Sequence, residues 1–167
     1  SLDGKASQKD PIVVLHAAEE VVPHQLAKRP ILKVSHQGSL HDTLFRLVGA
    51  MVLPAVFQSV IGADPVDIAR LSRSGGNLHV DFVEANDVES LWVGMERCWE
   101  SRSFPRGRLK GLVFAIMAPS AVPVLTSSGL LNGDRWERLL EGDEIDIVVT
   151  LFSRDDEAVS ATLLTFF

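Results

Sequence analysis

The chain has 167 residues, 46% of them hydrophobic and 23% charged, enough to bury a real apolar core and too apolar for disorder to be its main state. Asp and Glu number 22 against 16 Lys and Arg, a net charge of -6, so the long-range field repels polyanions and argues against a nucleic-acid partner. The single cysteine, Cys98, excludes an internal disulfide and a Cys-x-x-Cys zinc knuckle.

Residues 1–10 are polar and read as a disordered tail, followed by one α+β domain over 11–167. The opening SLDGKASQKDP lacks the apolar core of a signal peptide, and with the lone thiol this suggests a reducing cytoplasm. IVVL (Ile12–Leu15) and ILKVSH (Ile31–His36) read as short strands. Between them the pattern is ambiguous: AAEEVV favours helix, while Pro23 and Pro30 hold any helix to a few turns.

Ser39 opens SLHD, a capping-box spacing that starts a helix. That helix carries LFRLVGAMVLPAVFQSVIG (Leu44–Gly62), in which Arg46 is the sole formal charge, Pro54 introduces a kink and Gly62 marks the end. A membrane span needs about 20 apolar residues, so length alone permits one. Arg46, Gln58 and Pro54 inside the stretch, with no Lys or Arg cluster at either end, argue against it. A helix with almost no polar face must instead be surrounded by protein, either a curved sheet or a sheet together with a second subunit.

Asp64, Pro65 and Asp67 then start a short helix that SRSGGN stops. NLHVDFVE reads as a strand with one wet face. From Asn86 to Glu100, Val88, Leu91, Trp92, Met95 and Trp99 recur at helical spacing with Asn86 or Asp87 as cap; a strand over SLWVGMERCWE is the alternative. LKGLVFAIMA is a central strand buried on both faces. The loop PSAVPVLTSSGLLNG is long enough to be a lid or insertion, and Asp134 caps a short helix, RWERLLEG. EIDIVVTLF and AVSATLLTFF, joined by SRDDE, read as a closing hairpin.

The turn and helix SHQGSLHDTLFRLVGAMVLPAVF and the ending GDEIDIVVTLFSRDDEAVSATLLTFF resemble the hot-dog fold of acyl-thioester enzymes. The resemblance implies a mostly antiparallel sheet of roughly five or six strands packed on a long apolar helix, a homodimer, and hydrolase or dehydratase activity on acyl-CoA or acyl-carrier thioesters. NLHVDF, a helix, LKGLVFAIM, a helix and the final hairpin also resemble, in order, the C-terminal half of FtsZ-like proteins. No glycine-rich nucleotide loop accompanies them, so GTP binding does not carry over with that resemblance. The alternative function is a non-catalytic, self-associating binding or assembly module that uses the same apolar helix, with the FtsZ-like topology as a variant ranked below the hot-dog reading.

Under the enzyme reading, His36, His41 and Asp42 are the catalytic candidates, set where a strand meets a helix N-terminus whose amides can face a developing oxyanion. Arg106 and Arg108, in RSFPRGRLK with Arg102 and Lys110, are candidate contacts for the phosphates of a CoA moiety. His79 and Asp81 lie two apart on a strand and share a face, which sets an imidazole beside a carboxylate; two ligands do not make a metal site, and none is assigned. No cofactor is expected. Cys98 reads as an inert buried thiol.

Overall fold

The computed structural model describes residues 12–15, 31–36, 39–56, 63–73, 76–102, 108–119, 134–135, 140, 145–155 and 157–167. The expectations for AAEEVV, Gly62, Arg106, the loop after Pro119 and most of RWERLLEG fall outside them. In chain order the elements are β1 (Ile12–Leu15), β2 (Ile31–His36), α1 (Leu40–Val56), α2 (Pro65–Arg73), β3 (Gly76–Ala85), α3 (Val88–Glu100), β4 (Gly111–Pro119), β5 (Asp146–Arg154) and β6 (Val159–Phe166).

A mixed sheet of six strands, ordered β1-β2-β3-β6-β4-β5, separates two helical layers. β1, β2 and β3 run parallel, as do β4 and β5, and β6 is antiparallel to the two strands it joins, β3 and β4. The apolar run GLVFAIMAP explains the three layers. Val113 and Ala115 of β4 enter a core with Leu47 and Ala50 of α1 and Ile68 and Leu71 of α2. Leu112, Phe114 and Ile116 point the other way, into a core with Leu91, Trp92 and Met95 of α3. A strand covered on both faces has no use for alternation, so its sequence is continuously apolar. β6 is buried at every residue.

Caps begin the helices. Asp64 Oδ1 accepts from the Val66 amide at 2.8 Å ahead of Pro65, and Asp87 Oδ1 accepts from the Ser90 amide at 2.7 Å, the side-chain bonds that satisfy otherwise orphaned first-turn donors. The Ser90 interactions also hold the Asp87 carboxyl below its ordinary value. Residues 88–100 are helical, as their spacing predicts, and Trp92 stacks on Phe114 with ring centroids 6.2 Å apart. α3 lies so close to β3 that a Cβ at Gly94 would stand 2.5 Å from Val83 Cγ1.

Three expectations are corrected. The sheet is not the mostly antiparallel hot-dog sheet: three of its five strand pairings are parallel. The last two strands form no hairpin, because β4 lies between them and the short connection arches over it. α1 is not enclosed all round among the described residues; one of its faces packs on the sheet and the other is exposed. Among the described residues no helix is long and apolar enough to cross a membrane.

Candidate functional site

α1 begins as its sequence indicates, with Ser39 Oγ accepting the Asp42 amide at 3.5 Å and Thr43 Oγ1 donating to the Ser39 carbonyl at 3.0 Å. Thr43, Leu47, Ala50 and Pro54 form its buried stripe, spaced by four, three and four residues as a helix of 3.6 residues per turn requires. The opposite side is also apolar but open. Phe45 is 77% exposed, Val48 54% and Val56 67%, and Leu40, Leu44 and Val52 are exposed beside them. The apolar run is therefore a one-sided anchor whose second side is an uncovered surface among the described residues.

Beside this face, α1 and the sheet enclose a groove of about 560 Å³. Phe45, Val52 and Leu53 form one wall, Phe82, Met117 and Phe152 the other, and Arg46, Glu84 and Arg154 edge it. The Arg46 guanidinium carbon lies 3.0 Å from the centre of the Phe82 ring, a cation–π contact that lets a charge sit against apolar surface. Burial lowers the Arg46 pKa, while Asp42 and Glu84 act in the opposite direction.

Of the residues singled out for catalysis, the structure brings together only His41 and Asp42, with Nδ1 and Oδ1 3.6 Å apart and both side chains in solvent. His36 ends β2, and its side chain is outside the described set, as is Arg106. Arg108 is exposed just before β4. Both His41 and Asp42 sit on the exposed first turn of α1.

The sheet face away from α1 holds a polar cluster that the sequence indicates in part. His79 and Asp81 do share a face, with Nε2 and Oδ1 3.4 Å apart, but their side chains are only 7% and 5% exposed, so the wet face expected there is buried. Arg102, just past α3, donates from Nη2 to Asp81 Oδ1 and places Nη1 3.4 Å from His79 Nδ1. It neutralises a carboxylate that would otherwise be costly to bury. Ser35, opposite His79 in the parallel register of β2 and β3, sets its Oγ 2.5 Å from His79 Nδ1. Sequence inspection had no means of finding Ser35, whose role depends on which strands are neighbours.

A smaller cavity of about 280 Å³ opens where the α1 N-terminus passes β3, lined by Ser39, Thr43, Val80, Asp81 and Cys98 among others. Burial pushes the Cys98 thiol up, nearby Asp81 adds to the rise, and Arg102 partly opposes it. The described residues contain no group of three or more His, Cys, Asp or Glu able to hold a metal ion.

No protein-family model matches the chain, and no curated protein sequence matches it. Solved structures do. FtsZ of M. jannaschii, as the W319Y mutant, is similar with a TM-score of 0.58 at 15% identity, over 78% of this chain and 42% of that one. The empty FtsZ dimer of M. jannaschii matches with a TM-score of 0.57 at 12% identity, over 75% and 37%. TubZ-Bt, from a helical model of its four-stranded filament, matches with a TM-score of 0.57 at 17% identity, over 75% and 33%. The chain thus spans less than half the length of these proteins. These likenesses overturn the hot-dog resemblance, and the acyl-thioester partner and the simple homodimer that it implied fall with it. The fold, a mixed sheet with parallel pairs, is like that of the FtsZ and tubulin C-terminal domain.

Proposed function

We propose that the chain is an assembly module which associates with further copies of itself into open-ended filaments, using the apolar face of α1. The observation that carries this reading is the row of exposed apolar side chains Leu40, Leu44, Phe45, Val48, Val52 and Val56 on a helix anchored from behind by Leu47 and Ala50. An uncovered row of this kind marks an association surface. The likeness to FtsZ and to TubZ, the latter solved as a filament, supports the same reading. Open-ended growth requires a heterologous contact, in which the α1 face of one copy meets a different surface of the next.

The test is sedimentation and light scattering over a wide concentration range, with electron microscopy of the largest species. Wild type grows with concentration without stopping at two copies, and Val56→Asp abolishes growth while leaving the circular dichroism unchanged. A wild type that stays monomeric at the highest concentrations overturns the proposal.

A further inference from the structure

The polar cluster beneath α3 plays no part in assembly through α1, since it lies on the other face of the sheet. Its geometry has the elements of an activated nucleophile: a hydroxyl 2.5 Å from an imidazole nitrogen, and a carboxylate within ion-pair reach of the same ring. Ser35 is exposed, so a substrate can reach it, while His79 is buried behind it. The donors around His79 set its tautomer. The Ser35 hydroxyl lies 2.5 Å from Nδ1 and 3.5 Å from the Leu78 carbonyl, so Nδ1 is its nearer acceptor, with the Arg102 Nη1 at 3.4 Å to one side. With Nδ1 as acceptor the ring proton is on Nε2, 3.4 Å from Asp81 Oδ1, within ion-pair reach but not hydrogen-bonded to it. Arg102 fixes Asp81 through the same oxygen, leaving Asp81 Oδ2 buried with no hydrogen-bond partner among the described residues. A buried carboxylate oxygen with unused acceptor capacity can strengthen its hold on an imidazolium as charge develops there.

We propose that Ser35 is a catalytic nucleophile, with His79 as its general base, acting on neutral oxygen esters. Ser35 Oγ bonds to the ester carbonyl carbon while its proton passes to His79 Nδ1. The carbon–oxygen bond to the leaving alcohol breaks, and the alkoxide takes that proton. Water then attacks the acyl-serine, giving a proton to His79, and Ser35 Oγ leaves and recovers it. Asp81 is a positioning residue whose charge lies beside the imidazole, and Arg102 holds Asp81. The substrate is neutral because the Asp81 and Arg102 charges cancel beside the base while the whole chain carries a net charge of -6, which disfavours phosphate dianions and other polyanions.

The probe is a neutral ethoxy fluorophosphonate, which forms a phosphorus–oxygen bond to an activated serine as fluoride departs. Wild type is labelled once, and mass spectrometry maps the label to Ser35. Ser35→Ala removes it; because Ser35 is exposed, this variant folds as wild type, a point checked by circular dichroism. His79→Gln slows labelling by about a hundredfold or more, the usual scale of a lost general base. Asp81→Asn lowers the rate at neutral pH and displaces the pH profile of labelling. Absence of labelling in wild type, a label at another residue, or a rate indifferent to His79→Gln overturns the proposal. An unchanged pH profile in Asp81→Asn overturns the part assigned to Asp81.

Discussion

Phe45 and Leu47 stand two residues apart on α1, and the first is 77% exposed while the second is 1% exposed. Replacing one therefore probes association and replacing the other probes folding. Phe45→Asp is expected to raise the concentration needed for assembly by tenfold or more, while changing unfolding free energy by no more than about 0.5 kcal/mol, as is usual for surface positions. Sedimentation and urea titration on the same sample check the two halves. Equal loss of stability and assembly would mean that Phe45 belongs to the fold.

Leu47→Ala should destabilise the domain by about 2–5 kcal/mol, because the side chain is packed between α1 and the sheet and leaves a cavity when cut back. The midpoint of urea unfolding falls with an unchanged slope. A loss below about 1 kcal/mol would contradict the packing described for that face.

Gly94→Ala sets two effects against each other. Alanine favours helix over glycine by about 1 kcal/mol, but its Cβ would lie 2.5 Å from Val83 Cγ1, and overpacking costs about 1–3 kcal/mol. The expected outcome is net destabilisation. Adding Val83→Ala makes room, so the double variant should be more stable than the sum of the two single changes predicts. Strict additivity in thermal melts would count against the close approach of α3 to β3.

Arg102→Met removes the cation that pairs with buried Asp81 and should cost about 3–5 kcal/mol. Arg102→Met combined with Asp81→Leu should recover most of that loss, since an apolar pair of similar volume is often as stable as a buried ion pair. Chemical denaturation of the two single variants and the double variant decides the matter; a double variant as unstable as Arg102→Met would show that the pair is not the source of the cost.

Asp87 gives a pH signature. Its folded-state pKa lies below the unfolded one because Ser90 hydrogen-bonds the carboxylate. Its contribution is therefore present above the unfolded pKa and is lost as pH falls through the folded value. Asp87→Ala should lose stability near neutrality and show a shallower decline on acidification than wild type. Parallel acid titrations of the two proteins would remove Asp87 as the source of that dependence.

Much of the local structure was legible because it follows from short-range physics. The caps at Ser39, Asp64 and Asp87, the helix over 88–100 and the doubly covered β4 all announce themselves within a few residues. Pairing was not legible. The closing segments looked like a hairpin because a charged turn joins two apolar strands, yet β4 takes the place between them, and nothing local to β5 or β6 reports that β4 fits there better. Periodicity also misjudged α1: a helix apolar on every side implies enclosure, whereas here one side anchors and the other stays open. For the polar cluster, the i, i+2 spacing placed His79 and Asp81 together, but their burial depends on Arg102, 21 residues beyond Asp81, and on a strand neighbour carrying Ser35.

The position of β6 governs the order of events in folding. It is the last of the six strands in the chain, yet it sits inside the sheet and bridges β3 to β4. Before it is in place the remaining strands form two separate parallel ribbons, β1-β2-β3 and β4-β5, each presenting an unpaired edge. A nascent chain still lacking β6 therefore holds two half-sheets competent to pair with the wrong partner. Completion of the sheet therefore depends on the most C-terminal of the described strands, whose pairing closes both edges at once.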